Sequence, residues 1–168
     1  MYPPFVYALV LHGLIGGLDV ILNHELLARL PAQPWAGPEE RMHSAREWIF
    51  FAIFASLAWF EWHGAAAWWI ALLFLAEVLV SARDVVIEGD TRVLPKPERV
   101  LHLFLFMNLG ALVVLVGQAS LGWHALPTAV VRTDYGWVSW VLSARAVLTL
   151  GGAVRDGISA LKRTRGAV

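Results

Sequence analysis

The chain has 168 residues, of which 58% are hydrophobic and only 15% charged, where a soluble domain carries about 45–50% apolar and about 25% charged residues. That excess predicts an all-α integral membrane protein, and the nine Trp and eight Phe suit aromatic belts at two membrane interfaces. A net charge of zero gives no sign of a nucleic-acid partner or an acidic substrate, and the lack of cysteine excludes disulfides, thiolate nucleophiles and Cys-ligated zinc or iron–sulfur centres.

The N-terminus, Met-Tyr-Pro-Pro-Phe, has no positive region, and no small-residue cleavage site follows the first apolar run. That run therefore reads as a retained helix rather than a signal peptide. A membrane core of about 30 Å needs roughly 20 mostly apolar residues per helix. By that measure spans are predicted at about 5–25, 39–61, 65–88 and 98–120, with a tight turn at His63-Gly64 between the second and third. Residues 122–136 form a loop. A fifth apolar run, residues 137–154, contains Arg145 and either crosses or lies in the interface, within a C-terminal helix of about 137–160. Residues 162–168 are a short basic tail. The whole chain, 1–168, reads as one membrane domain.

The first four helices form two copies of one pattern. The first copy (about 5–61) has His12, Asp19 and Asn23, then Leu30-Pro31, Pro38-Glu39 and His43. The second (about 65–120) has Glu77, Asp84 and Glu88, then Leu94-Pro95, Pro97-Glu98 and His102. Each copy is an apolar helix with an acid-bearing end, a proline turn, Glu-x-x-x-His and a second apolar helix. The expected architecture is a four-helix transmembrane bundle of two helix-hairpin repeats plus a fifth C-terminal helix. Repeat-built membrane folds place their sites at the interface between copies.

Arg29, Arg41, Arg46, Arg83, Arg92, Lys96, Arg99, Arg155, Lys162, Arg163 and Arg165 fall on one side if five spans cross, leaving Arg132 opposite and Arg145 within a span. The positive-inside rule then sets the N-terminus outside and the C-terminus in the cytoplasm, and suggests a bacterial inner membrane. Both polar motifs lie at the cytoplasmic ends of their helices.

On the first helix His12, Gly16, Asp19 and Asn23 share one face, as Glu77, Ser81, Asp84 and Glu88 do on the third. Glu39, His43 and Glu47 share a face of the second helix, and Glu98 and His102 one of the fourth. Ionisable groups in a span face the bundle interior, paired or ligating. Carboxylates bridge two cations and imidazole suits Fe, Mn and Zn, and inward carboxylates and imidazoles from four helices are how bundle di-iron and di-manganese proteins are built. The spacing of four here differs from the Glu-x-x-His of soluble examples.

The predicted ligands are Asp19, His43, Glu47, Glu77, Asp84, Glu88 and His102, holding two divalent ions, iron before manganese or zinc. His12, Asn23, Glu39, Glu98 and Arg145 are expected in support or on a proton path. Glu39 and Glu98 also have a plain reading as acids at helix starts after proline, where the helix dipole favours them. Asp84 has Arg83 or Arg99 as possible partners, Glu47 has Arg46, and Glu77 has Arg145. His24 and Glu25 lack a counterpart in the repeat and read as loop residues, and His63 and His124 as interfacial.

The expected function is a di-metal oxidoreductase at the cytoplasmic membrane interface, with a lipid-like substrate and either a redox partner or a second copy as associate. Three other readings stand beside it. One is a proton or cation transporter relaying through His12 and Glu77. Another is a non-catalytic subunit of a membrane complex. The third is a b-haem protein with His43 and His102 as axial ligands. Ser44 and Ser81 near His43 lack a Gly-x-Ser-x-Gly setting, and Gly-Leu-Ile-Gly-Gly lies inside a span, so hydrolase and phosphate-loop readings have little support.

Overall fold

The computed structural model describes residues 2–166, with Pro31 and residues 164–166 described by backbone alone. Helix α1 runs Pro4–Asp19 and continues without a break as a π-helical extension, Val20–Leu27. Arg29, in the left-handed conformation (φ 50), ends it before a short 3₁₀ turn at Leu30–Ala32. Then follow α2 (Gly37–Ala58), strand β1 (Phe60–His63), α3 (Ala67–Thr91), α4 (Lys96–His124), strand β2 (Ala129–Arg132) and α5 (Trp137–Gly166). The basic tail predicted at 162–168 is helical through Gly166, and its last two residues lie outside the described ones.

Among the described residues, three helical stretches are long and apolar enough to cross a membrane: Pro4–Leu27, Lys96–His124 and Trp137–Arg163. Helices α2 and α3, 22 and 25 residues, have the length as well. They differ in carrying seven of the thirteen acids, among them Glu39, Glu40 and Glu47 on α2 and Glu77, Asp84 and Glu88 on α3. Prolines set two of the helix starts: Pro38 and Pro97 occupy the first turns of α2 and α4, each beside an acid, Glu39 or Glu98.

The expectation of helices alone missed one feature. The turn at His63-Gly64 and the loop at 122–136 form a two-stranded antiparallel ribbon, with Phe60 opposite Arg132 and His63 opposite Ala129. Gly64 has φ +56, and a Cβ there would stand 2.6 Å from the Thr128 Cα, so the close crossing requires glycine. The ribbon ties the α2–α3 and α4–α5 connections together at one end of the molecule.

Along its length the bundle divides in two. Towards the ribbon lies an apolar core, with Phe5 and Leu9 of α1, Phe54 and Leu57 of α2, Ile70 of α3, Leu112 of α4 and Leu142 of α5 all buried. Towards the other end the buried residues are largely polar, among them Asp19, Asn23, His24, Glu39, His43, Asp84, Glu88, Glu98 and His102. Meanwhile Leu11, Leu14 and Leu18 of α1, Leu72 and Leu79 of α3 and Leu103 and Met107 of α4 point outward. Buried charge under an apolar exterior inverts the soluble pattern. Helix α2 packs most extensively on α5, α1 lies against α4, and a cavity of about 320 Å³ opens between α1, α2 and α5.

Candidate metal centre

Four helix ends build the polar half. Asn23, one turn past Asp19, donates its amide to Asp19 Oδ1 at 2.6 Å. Past Asp19 the chain is π-helical, and its turn closes at i+5. That extra residue per turn carries His24 onto the face of Asp19, with His24 Nε2 3.7 Å from Asp19 Oδ2. His24 is buried at 6% exposure and stacks on His43 of α2, ring centres 4.2 Å apart and planes 5° from parallel. The loop reading of His24 is thereby corrected, since a 3.6-residue period cannot place it.

His102 of α4 uses both ring nitrogens. Its Nε2 lies 3.1 Å from Asp19 Oδ2 and its Nδ1 3.4 Å from Glu88 Oε2. The other Glu88 oxygen, Oε1, faces His43 Nε2 at 3.8 Å, while His43 Nε2 also stands 4.0 Å from Asp84 Oδ2. His24 Nε2 is 3.3 Å from Glu98 Oε1. Two sets of ligand atoms result, each within 4.8 Å of one another: His24, Glu88, Glu98 and His102 in one, Glu39, His43 and Glu88 in the other. Glu88 belongs to both. Within these sets Glu88 Oε1 and His24 Nε2 are buried with only the imidazole–carboxylate contacts just given, and at the edge Asp84 Oδ1 and Asn23 Oδ1 are buried and make no hydrogen bond. Buried polar atoms without partners are rare in native structures and point to an absent ion or water.

Two arginines flank the histidines. Arg92, just past the end of α3, grips both supporting acids, with Nη2 2.6 Å from Glu39 Oε1 and 2.5 Å from Glu98 Oε1. Burial works against its charge, but the two carboxylates outweigh burial and raise its pKa. Arg46 of α2 reaches across to α3, 3.1 Å from Glu77 Oε1 and 3.0 Å from Asp84 Oδ2. The partners expected from sequence are therefore replaced: Asp84 pairs with Arg46 rather than Arg83 or Arg99, and Glu77 pairs with Arg46 rather than Arg145. Glu47 has its carboxylate against Gly152 of α5, where a Cβ would displace it, instead of pairing with Arg46. Of the eight buried carboxylates among the described residues, Glu40 and Asp156 are held by Arg163 and Arg155, and the other six (Asp19, Glu39, Glu77, Asp84, Glu88, Glu98) against Arg46 and Arg92 leave four negative charges when the histidines are neutral. Two divalent cations carry the matching charge.

Of the seven ligands predicted, His43, Glu88 and His102 fall within the two sets, and Asp19 and Asp84 border them through His102, His24 and His43. Glu47 and Glu77 stand apart, the first on α5, the second bonded to Arg46 and to the Ser81 hydroxyl at 2.8 Å. Glu39 and Glu98, expected in support, lie within the sets. His12 is farther along α1, stacked on Phe50 and 3.1 Å from the Asn108 amide. Arg145 lines the cavity rather than the histidine cluster. His24 had no signal in the helical period. Arg46 had one, three residues after His43 and so on the same face of α2. No family model matches the chain, nor does any curated protein or solved structure.

Proposed function

We propose that the chain is an integral membrane protein whose polar half binds two divalent metal ions, iron before manganese or zinc, and acts as an oxidoreductase at the cytoplasmic interface. The observation that carries this reading is Glu88. Its two oxygens face two different imidazoles, His43 and His102, and it is common to both ligand sets. A carboxylate so placed is suited to bridging two cations. The bundle proteins that bind paired iron or manganese supply carboxylates and imidazoles from facing helices in the same way. The architecture proposed with it is four spans in two helix-hairpin repeats, with α5 as a fifth.

His24, Glu98 and His102 would hold one ion and Glu39 and His43 the other, with Glu88 between. Asp19 orients His102, Asn23 orients Asp19, and Arg92 orients Glu39 and Glu98. Metal ions in such a site activate oxygen or a bound water. A haem is favoured less: Glu88 stands between His43 and His102, where a porphyrin plane would have to pass. A relay through His12 and Glu77 has less support too, since His12 bonds Asn108 while Glu77 bonds Arg46 and Ser81.

Metal analysis and an absorption spectrum of the detergent-purified protein test the proposal. The expected result is about two iron, manganese or zinc ions per chain without a Soret band, and His43→Ala or His102→Ala lowers the metal content. Unchanged stoichiometry in both variants would falsify the ligand assignment.

A further inference from the structure

Arg145 does not take part in the polar network. It lies in the candidate span Trp137–Arg163, and its guanidinium has neither a hydrogen bond nor an ion pair among the described residues. A lone guanidinium in a span is costly, and such residues ordinarily face a partner or a water-filled cavity. Arg145 faces the 320 Å³ cavity between α1, α2 and α5. The side chain lies flat on α1 over two glycines. A Cβ on Gly13 would stand 2.8 Å from its Nε, and one on Gly17 2.6 Å from its Nη2. Gly17 is the nearer of the two to the metal centre, so the side chain extends towards the polar half. Snorkelling to the ribbon-end interface, the closer one to Trp137, would take it the other way.

The remaining cavity wall falls into two parts. Phe50, Phe54, Leu105 and Leu148 make one part apolar, and Asp19, His24, His43, Arg46, Glu47 and Arg155 make the other polar. Seven residues separate Gly17 from His24, about 10 Å of helix. A volume of about 320 Å³ is at the lower end of the roughly 300–1,000 Å³ of small-molecule sites. We infer that this cavity binds a single-chain amphiphile, its anionic carboxylate or phosphate head on Arg145 and its apolar remainder along Phe50, Phe54, Leu105 and Leu148. The inference rests on the metal-centre reading only for the use made of the ligand, and not for its binding.

The test is equilibrium binding of radiolabelled dodecanoate to the full chain in nanodiscs, before and after stripping metal with chelator. Saturable binding of one dodecanoate per chain is expected in both states, displaced by unlabelled dodecanoate or dodecyl phosphate but only weakly by dodecanol. The better of the two anionic competitors identifies the head group. Arg145→Gln should weaken binding by about tenfold or more, as loss of a charge-assisted bond does, with metal content unchanged, and Arg145→Lys should recover part of it. Gly17→Ala keeps the arginine but intrudes on Nη2, and should weaken binding as well. Dodecanol competing as well as dodecanoate, or wild-type affinity in Arg145→Gln, overturns the inference. Absence of metal with binding intact overturns the metal centre alone.

Discussion

Arg46 joins α2 to α3 through two buried carboxylates, Glu77 and Asp84. Replacing it with methionine strands both acids, and breaking a buried pair from one side costs about 3–5 kcal/mol. The Arg46→Met protein is therefore expected to denature at markedly lower SDS fraction than wild type, and Arg46→Met with Glu77→Gln to recover part of the loss. Equal midpoints for Arg46→Met and wild type would show the triad to be immaterial. At the centre, Asn23 touches the predicted ligands only through Asp19, at 2.6 Å. Outer-shell partners of this type are worth about 10–100-fold in metal affinity. Asn23→Ala should retain metal at saturating iron yet lose it in that proportion under competition with a chelator. A wild-type competition curve would remove Asn23 from the supporting role. The recurrence of acid and histidine in the two halves made Asp19, His43, Asp84, Glu88 and His102 legible in the sequence. Partner choice was not: whether an acid meets a metal, Arg46 or Arg92 depends on helix rotation and on long side chains crossing between helices, which spacing along one helix does not encode.

The helices themselves were legible because apolar runs of membrane length end at Pro-Glu or at turn residues. The ribbon was not, since four-residue strands pair only with a partner some 70 positions away, and although Phe60–His63 alternates in polarity, Ala129–Arg132 does not. The π-helical extension was hidden for a different reason: periodicity analysis assumes the α period, and over Val20–Leu27 the period is longer. It also offers a test. Deleting Leu22, an exposed residue, shortens the step from Asp19 to His24 from five residues to four, which is one turn of an ordinary α-helix. His24 should still reach the face of Asp19, and metal content should stay near wild type. Inserting one alanine after Leu22 makes the step six, turns His24 off that face, and should reduce bound metal. Equal metal content in both variants would mean that His24 contributes no ligand.

The largest-scale consequence concerns which way the molecule sits. The ribbon fixes the α2–α3 and α4–α5 connections at one end, so the α1–α2 and α3–α4 connections and the end of α5 lie at the other. Seven of the nine tryptophans, Trp59, Trp62, Trp68, Trp69, Trp123, Trp137 and Trp140, lie on or beside the ribbon end, as an interfacial belt would. There Trp59 also carries the Arg132 guanidinium 5.7 Å above its ring. Eleven of the thirteen Lys and Arg lie at or towards the other end. Some of those are occupied, Arg46 and Arg92 on buried acids and Arg155 on Glu25, so their position serves the fold as well as the bias. The bias still stands without them, because Arg29, Arg83, Lys96 and Arg99 remain on that side. The bias supports the proposed orientation, with the histidine cluster on the cytoplasmic side and the ribbon outside. Green fluorescent protein fused after Val168 should fluoresce and alkaline phosphatase there should be inactive, whereas phosphatase inserted between Leu126 and Pro127, beside the ribbon, should be active. Fluorescence at the C-terminus together with inactive phosphatase at the ribbon would mean that α5 does not cross. The reverse pattern at both points would place the histidine cluster outside, away from cytoplasmic reductants, and would count against an oxidoreductase supplied from the cytoplasm.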